Sequence, residues 1–179
     1  SLPILETRLP GLTFEESMTL HGSRRQIQRL SFGKGHTGSD LVLYLPEERI
    51  VFTGDLVNDA VEEMHPWKDL FARLEARDGV YSVLGNHDYG DYKRWSSAEA
   101  KEQNMQDLKA IQAEMGWNLL LNEHRFLERE GQRIALVGVE NWGAGRFAKY
   151  GDIAEAYKGS EAATKIVLSH DPSHWDAQI

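Results

Sequence analysis

Three short runs of apolar, β-prone residues in this chain each end in polar residues of the kinds that bind metal ions. The runs are residues 50–53, 80–84 and 165–168, and they lead into Gly54-Asp55, Gly85-Asn86-His87-Asp88 and Ser169-His170 respectively. A buried strand that ends in a carboxylate, an amide or an imidazole holds that donor rigidly at the edge of its sheet. The chain is therefore expected to fold so that these strand ends lie on one side of the molecule.

Short β-prone runs alternate with amphipathic stretches, which indicates a layered α/β fold. Residues 66–76 carry apolar side chains at helical spacing between the predicted strands 50–53 and 80–84, so the three segments are predicted to form a βαβ unit with parallel strands. Ligands of parallel sheets collect beyond the carboxyl ends of the strands. Those ends carry the polar residues named above.

The second half of the chain contains the longest predicted helix, residues 96–115. Ser96 and Glu99 match a capping box at its start, and Gly116 is the predicted stop. A hairpin turn is predicted at residues 131–132 because glycine there separates two β-prone runs. The loops that flank the strand ends are predicted either to line a substrate entrance or to be ordinary surface, and they are residues 89–92 and 141–143.

Composition narrows the class of protein. The 179 residues fit one domain, and a hydrophobic content of 41% is enough for a folded core. The net charge of −8 and the absence of a Lys/Arg block give no electrostatic footprint for nucleic acid. No apolar run approaches the roughly 20 residues of a membrane span, and no signal peptide is recognisable, so a soluble chain of unknown compartment is expected.

The sequence contains no cysteine, which excludes disulfides, thiolate catalysis and Cys-ligated zinc. A bound metal ion would therefore be held by His, Asp, Glu or Asn. An acidic protein that handles phosphate needs a cation to offset charge repulsion. The composition thus favours a metal site if the ligand is a phosphate ester.

The strand ends also carry a family resemblance. Gly54-Asp55-Leu56-Val57-Asn58, Gly85-Asn86-His87-Asp88 and Ser169-His170 resemble, in order and spacing, successive motifs of the calcineurin-like metallophosphoesterases. The resemblance covers about residues 50–179, and Gly-Asn-His-Asp after a strand is its most specific part. It implies a metal-dependent hydrolase of small phosphomonoesters or phosphodiesters.

This resemblance implies a role for each residue. Asp55 would bridge two divalent metal ions, and Asn86 and His170 would bind one of them. His87 would contact the scissile phosphate or protonate the leaving group, and Asp88 would orient His87. The implied cofactor is Mn, Fe or Zn, as one ion or two. In isolation each residue has an ordinary alternative as a turn or polar surface residue, but their occurrence together favours the site.

Two motifs of the resembled family are absent, namely Asp-x-His on the first strand and Gly-His-x-His near the end. These motifs supply most ligands of the first metal. The implied fold is therefore an αββα-type layered sandwich without its first and last metal-motif elements, and the site is partial. A catalytically silent domain that binds one metal ion is accordingly an alternative function.

A second resemblance covers about residues 10–57. The Gly-His-Thr-Gly-Ser-Asp run at 35–40 and the Phe-Thr-Gly-Asp run at 52–55 resemble the middle of a metallo-β-lactamase-fold hydrolase, although the main His-x-His-x-Asp-His motif is absent. This resemblance implies His36 and Asp55 as zinc ligands and a zinc hydrolase as another alternative, while His36 is equally a loop histidine in a Gly-rich turn. Both resemblances share Asp55, which suggests one domain over residues 1–179 spliced from segments 1–49 and 50–179.

Overall fold

The computed structural model describes residues 17–21, 26–30, 42–45, 50–52, 55–129, 131–143, 149–161 and 163–178. Within these residues the strands are β1 (Ser17–His21), β2 (Gln26–Leu30), β3 (Val42–Leu45), β4 (Ile50–Phe52), β5 (Val80–Ser82), β6 (Trp117–Leu119), β7 (Glu123–Arg129), β8 (Gln132–Gly138) and β9 (Thr164–Leu168). The α-helices are α1 (Lys68–Phe71), α2 (Ala98–Glu114), α3 (Ile153–Tyr157) and α4 (Ser173–Gln178). Short 3₁₀ helices cover Val61–Met64 and His87–Tyr89. The predicted α/β class is confirmed.

The described residues form three sheets in chain order. Strands β1 to β4 make an antiparallel sheet in sequential order, β5 pairs in parallel with β6, and β8 lies between β7 and β9 in a mixed sheet. The predicted βαβ unit of strands 50–53 and 80–84 is wrong. β4 pairs with β3, and the parallel partner of β5 is β6, with α2 as the crossover. The helix that covers the β5–β6 pair is α2, with seventeen residues or about 25 Å of helix, whereas α1 has four residues.

Local sequence signals explain the ends of several elements. Ser97 is the N-cap of α2, since its hydroxyl accepts a hydrogen bond from the amide of Ala100 at 3.2 Å. The cap therefore lies one residue after the predicted Ser96. Gly116 ends the helix with a φ of 78°, and Gly131 makes the β7–β8 turn with a φ of 74°. The predicted stop and the predicted hairpin are both confirmed.

The core has two parts. Helix α2 covers the β5–β6 pair and buries Leu108 and Ile111 against Met64 and Trp117. Helix α3 packs on the β7–β8 hairpin, where the buried residues are Ala135, Val137, Val139, Ile153 and Ala156. The two parts meet at Gly138, since a Cβ built there would lie 2.2 Å from the Cβ of Leu120. No helix in the described part of the chain is long and apolar enough to cross a membrane.

A buried amide ties α2 to the loop after Asp55. Asn104, which is 5% exposed, accepts a hydrogen bond from the amide of Val61 at 2.8 Å and donates one to the carbonyl of Asp59 at 3.2 Å. The carboxylate of Glu63 accepts hydrogen bonds from the amides of Asn58 to Ala60. Residues 58–61 are thereby fixed from two directions beneath the strand ends.

Asn104→Ala is expected to lower the free energy of unfolding by about 3 kcal/mol, because it leaves two buried backbone groups without partners. Gln103→Ala is the matched control, since Gln103 is exposed on the same helix and should change stability by less than about 0.5 kcal/mol. Urea unfolding of the three proteins measures both values. Equal stability of the two variants would show that the hydrogen bonds of Asn104 contribute nothing to the free energy of unfolding.

Candidate metal centre

Three sequence-predicted residues meet at the strand ends. Asp55 follows β4, Asn86 follows β5 and His170 follows β9. The Nε2 atom of His170 lies 3.5 Å from Oδ1 of Asp55 and 3.1 Å from Oδ1 of Asn86. One carboxylate oxygen of Asp55 and the amide oxygen of Asn86 therefore both lie within 3.5 Å of the same imidazole nitrogen, although the three residues are far apart in the sequence.

The spacing of these donors suits a cation. Metal–donor distances of roughly 2.0–2.2 Å place neighbouring donors roughly 3.0–3.5 Å apart. The Asp55 side chain is 9% exposed, and its Oδ1 atom is buried without a hydrogen-bond donor among the described residues. A buried carboxylate oxygen without a donor is costly unless a cation completes it. The residues present therefore fit one divalent ion.

A glycine makes room for the carboxylate. A Cβ built on Gly85 would lie 1.8 Å from Oδ1 of Asp55 and 2.9 Å from Cε1 of His170, so both side chains would have to shift to admit it. Gly85 is buried at the end of the run that leads from β5 to Asn86. Residue 85 is therefore a glycine because the side chains of two candidate ligands pack directly against its backbone.

Asp88 lies beneath the site with no exposed surface. Its Oδ2 atom accepts a hydrogen bond from the amide of Gly85 at 2.8 Å, which closes the turn that carries Asn86 and His87. Burial raises the pKa of Asp88 to about 7, and the nearby Asp55 carboxylate adds to the rise, while backbone amides including that of Gly85 oppose it. Two buried carboxylates side by side make this edge of the sheet electronegative.

His87 is fixed beside the three converging donors. Its Nδ1 atom lies 2.8 Å from the carbonyl oxygen of Asn58, so Nδ1 carries the proton and donates it. The other side of the ring packs on Tyr92, with ring centroids 4.3 Å apart and the planes tilted by 33°. The Asn58 carbonyl and the Tyr92 ring together set the orientation of His87.

The structure brings Asp55, Asn86 and His170 together and places His87 and Asp88 on the same turn as Asn86. The sequence did not indicate the role of the Asn58 carbonyl, because it is a backbone group and every residue has one. The sequence placed Tyr92 in the loop 89–92, which was predicted either to line a substrate entrance or to be ordinary surface. The donation of Asn86 Nδ2 to the Tyr92 hydroxyl at 2.8 Å favours the first alternative.

The donor set includes an amide rather than a third acidic or imidazole group. Among the described residues no three His, Cys, Asp or Glu side chains are grouped so that they could hold a metal ion. The candidate site instead has two such side chains, Asp55 and His170, with Asn86 as the third donor. His36, the fourth candidate ligand of the sequence analysis, lies outside the described residues.

Comparisons with known proteins agree with one of the two resemblances. The model of the calcineurin-like phosphoesterase family matches residues 20–178. A relative named uncharacterized metallophosphoesterase YkoQ, from Bacillus subtilis (strain 168), is 28% identical over 130 residues, which cover 72% of this chain and 43% of the relative. The chain thus spans less than half of that relative's length. No solved structure gives a significant match.

The metallo-β-lactamase resemblance is not supported. The matched phosphoesterase model begins at residue 20 and so includes His36 and most of the segment that suggested a second family. A single family model across both segments also leaves the splice at Asp55 without support. The Gly-rich words around His36 and Asp55 are short, and short motifs recur in unrelated folds.

Proposed function

The chain belongs to the calcineurin-like phosphoesterase family, and from this premise we propose that it hydrolyses small phosphomonoesters or phosphodiesters with the help of a divalent cation. The observation that carries the proposal is the convergence of Asp55, Asn86 and His170 around a buried carboxylate oxygen without a donor. We also propose that residues 1–179 form one domain around this site.

Each residue at the strand ends has a proposed task. Asp55, Asn86 and His170 would hold the cation, and Mn, Fe and Zn all suit a mixed oxygen and nitrogen donor set. A divalent cation there would supply charge to offset the phosphate group and would lower the pKa of an attacking water. Asp55 would contribute the negative charge to the ligand set, and Asn86 and His170 would be its neutral donors.

His87 is proposed to act on the leaving group. Its Nδ1 proton is committed to the carbonyl of Asn58, so Nε2 is the ring nitrogen that would pass a proton to the departing oxygen or hydrogen-bond the phosphate. Asp88 is proposed to orient His87 through the backbone, because its hydrogen bond to Gly85 closes the turn from which the imidazole projects. In this proposal the residue that donates the proton, His87, is not one of the three residues that bind the cation.

The proposed substrates are small. The net charge of −8 opposes a long polyanion such as nucleic acid, whereas a single phosphate group can be neutralised by one cation. Tyr92, 47% exposed beside His87, gives the site an open rim. A phosphate ester with a compact leaving group suits this arrangement.

A second candidate function is a silent metal-binding domain. It is favoured by the donor set itself, since two acidic or imidazole ligands and one amide are few for a pair of cations. The Asp-x-His and Gly-His-x-His motifs are absent from the sequence. Metal binding without turnover would distinguish this function from the first.

An assay of the purified chain with p-nitrophenyl phosphate and its bis ester, in Mn²⁺, Zn²⁺ or Fe²⁺, tests the proposal. We expect activity that chelator removes and metal restores. His87→Ala should lower kcat by about 100-fold and leave Mn²⁺ affinity within about twofold, because a general acid acts on the chemical step. His65→Ala is the control, since His65 is an exposed histidine outside the site.

Three outcomes of this assay separate the alternatives. Metal-dependent activity that falls with His87→Ala but not with His65→Ala supports the phosphoesterase. Metal binding without turnover in any of the three ions supports the silent domain. Activity that survives both chelator and His87→Ala would contradict the proposed mechanism.

A further inference from the structure

Tyr92 connects two residues of the proposed site to each other. Its hydroxyl accepts a hydrogen bond from Nδ2 of Asn86 at 2.8 Å, and its ring packs on the imidazole of His87. Tyr92 itself is anchored, because its amide donates to Oδ1 of the buried Asp59 at 3.0 Å. The tyrosine thus reaches both a proposed cation ligand and the proposed proton donor from a fixed backbone position.

Tyr92 holds the end of the Asn86 amide that faces away from the cation position. An asparagine can present either its oxygen or its nitrogen, and only the oxygen has a lone pair for a metal ion. With Nδ2 held by the tyrosine hydroxyl, Oδ1 points toward His170 at 3.1 Å. A rotation of the amide by half a turn would bring an NH₂ group, which has no lone pair for a metal ion, to the cation position.

The turn between the two residues makes this contact possible. The 3₁₀ helix His87–Tyr89 ends at Gly90, which has a φ of 63°, and this left-handed residue returns the chain toward the strand end. A Cβ at Gly90 would lie 2.9 Å from the indole of Trp95 and 3.1 Å from the carbonyl of Asp59, so the turn is packed on both sides. Tyr92 is therefore held over the site by the fold and not by the hydrogen bond alone.

We propose that Tyr92 is a positioning residue of the phosphoesterase site, which holds the Asn86 amide in its metal-binding orientation and supports the His87 ring. This inference rests on the proposed function. Partners that orient metal ligands typically contribute about 10–100-fold to metal affinity. The lower value is expected here, because Tyr92 is 47% exposed and water can replace part of the hydrogen bond.

The test compares Tyr92→Phe with wild type by calorimetric titration of Mn²⁺ into the metal-free chain. We expect the Kd for Mn²⁺ to rise about tenfold, while the Tm of the metal-free protein changes by less than about 2 °C, because the ring and its packing remain. Tyr150→Phe is the matched control. It is 40% exposed and also stacks on an aromatic ring, that of Tyr89, but it is no part of the proposed site.

The outcomes distinguish this inference from the function on which it rests. Wild-type binding with an equal Kd for Tyr92→Phe would overturn the positioning role and leave the phosphoesterase proposal intact. A Kd that rises equally in Tyr150→Phe would also overturn it, because the effect would then be general. Failure of the wild-type chain to bind Mn²⁺, Zn²⁺ or Fe²⁺ would overturn both proposals together.

Discussion

Asp55→Asn is expected to remove Mn²⁺ binding and to lower kcat/KM by about 1,000-fold or more, because the variant loses the only negative charge among the three proposed ligands. The substitution preserves the size of the side chain, which is 9% exposed, so packing should be little disturbed. The loss is measured by Mn²⁺ titration and by hydrolysis of the bis-p-nitrophenyl ester. Asp107→Asn is the matched control, since Asp107 is exposed on α2 and away from the site.

In the metal-free protein the same substitution should reduce the loss of stability that accompanies a rise in pH. Burial and, to a smaller extent, the neighbouring Asp55 carboxylate raise the pKa of Asp88 from its ordinary value of 3.8 to about 7. A folded-state pKa above the unfolded value means that the folded chain holds the proton longer, so this group's contribution to unfolding free energy falls as pH rises from about 4 to about 7. Asp55→Asn should make that fall smaller.

Thermal melts in chelator at pH 5 and pH 8 test this expectation. The Tm difference between the two pH values should be smaller in Asp55→Asn than in wild type and unchanged in Asp107→Asn. A variant that is strongly destabilised at both pH values would show that Asp55 is a structural residue of the loop. Such a result would weaken the case for a cation ligand, because loss of metal would then follow from loss of fold.

Gly85→Ala should abolish metal binding by a different route. The added methyl group would overlap Oδ1 of Asp55 and contact Cε1 of His170, so both candidate ligands would have to move. A displacement on the scale of 1 Å is enough to lose a precisely placed site. We expect Mn²⁺ affinity to fall at least about 100-fold and the free energy of unfolding to fall by about 1–3 kcal/mol.

Gly116→Ala provides the comparison for this glycine. A Cβ at Gly116 meets no atom within 4 Å, although its φ of 78° makes alanine strained there. This variant should therefore lose about 1 kcal/mol of stability and keep its affinity for Mn²⁺. Equal metal affinity in Gly85→Ala and Gly116→Ala would show that the site does not lie against Gly85.

The candidate site could be predicted from sequence because its residues follow apolar runs directly. Each run is short, β-prone and bounded by glycine or serine, so the first polar residue after it falls at a sheet edge whatever the pairing. The turn at Gly131 and the stop at Gly116 were predictable for a related reason, since glycine alone adopts a positive φ without strain. These are local rules that do not depend on the rest of the chain.

Strand pairing and helix length depended on tertiary contacts. Residues 66–76 have helical spacing, yet only Lys68–Phe71 form an α-helix, while Phe71 and Leu74 still pack on the core. Burial of apolar side chains was satisfied there without a regular helix, so periodicity overstated its length. The parallel partner of β5 is likewise the strand that follows α2 and not the strand that is nearer in the sequence.

The Tyr92 contacts had no sequence signal. Residues 86 and 92 meet because a 3₁₀ turn and a left-handed glycine reverse the chain between them, and the orientation of an amide cannot be inferred from residue type. The same limit applies to the carbonyl of Asn58 that holds His87. Sequence identified which side chains could bind a cation, whereas the structure identified what orients them.

The number of Mn²⁺ ions bound per chain tests the candidate site most directly. Equilibrium dialysis of the wild-type chain, followed by metal analysis, should give about one ion, because three protein donors complete one coordination sphere with water and are too few for two. The same measurement on Asp55→Asn should give none. Two tightly held ions in wild type, no ion at all, or full retention of the ion by Asp55→Asn would contradict a single cation held by Asp55, Asn86 and His170.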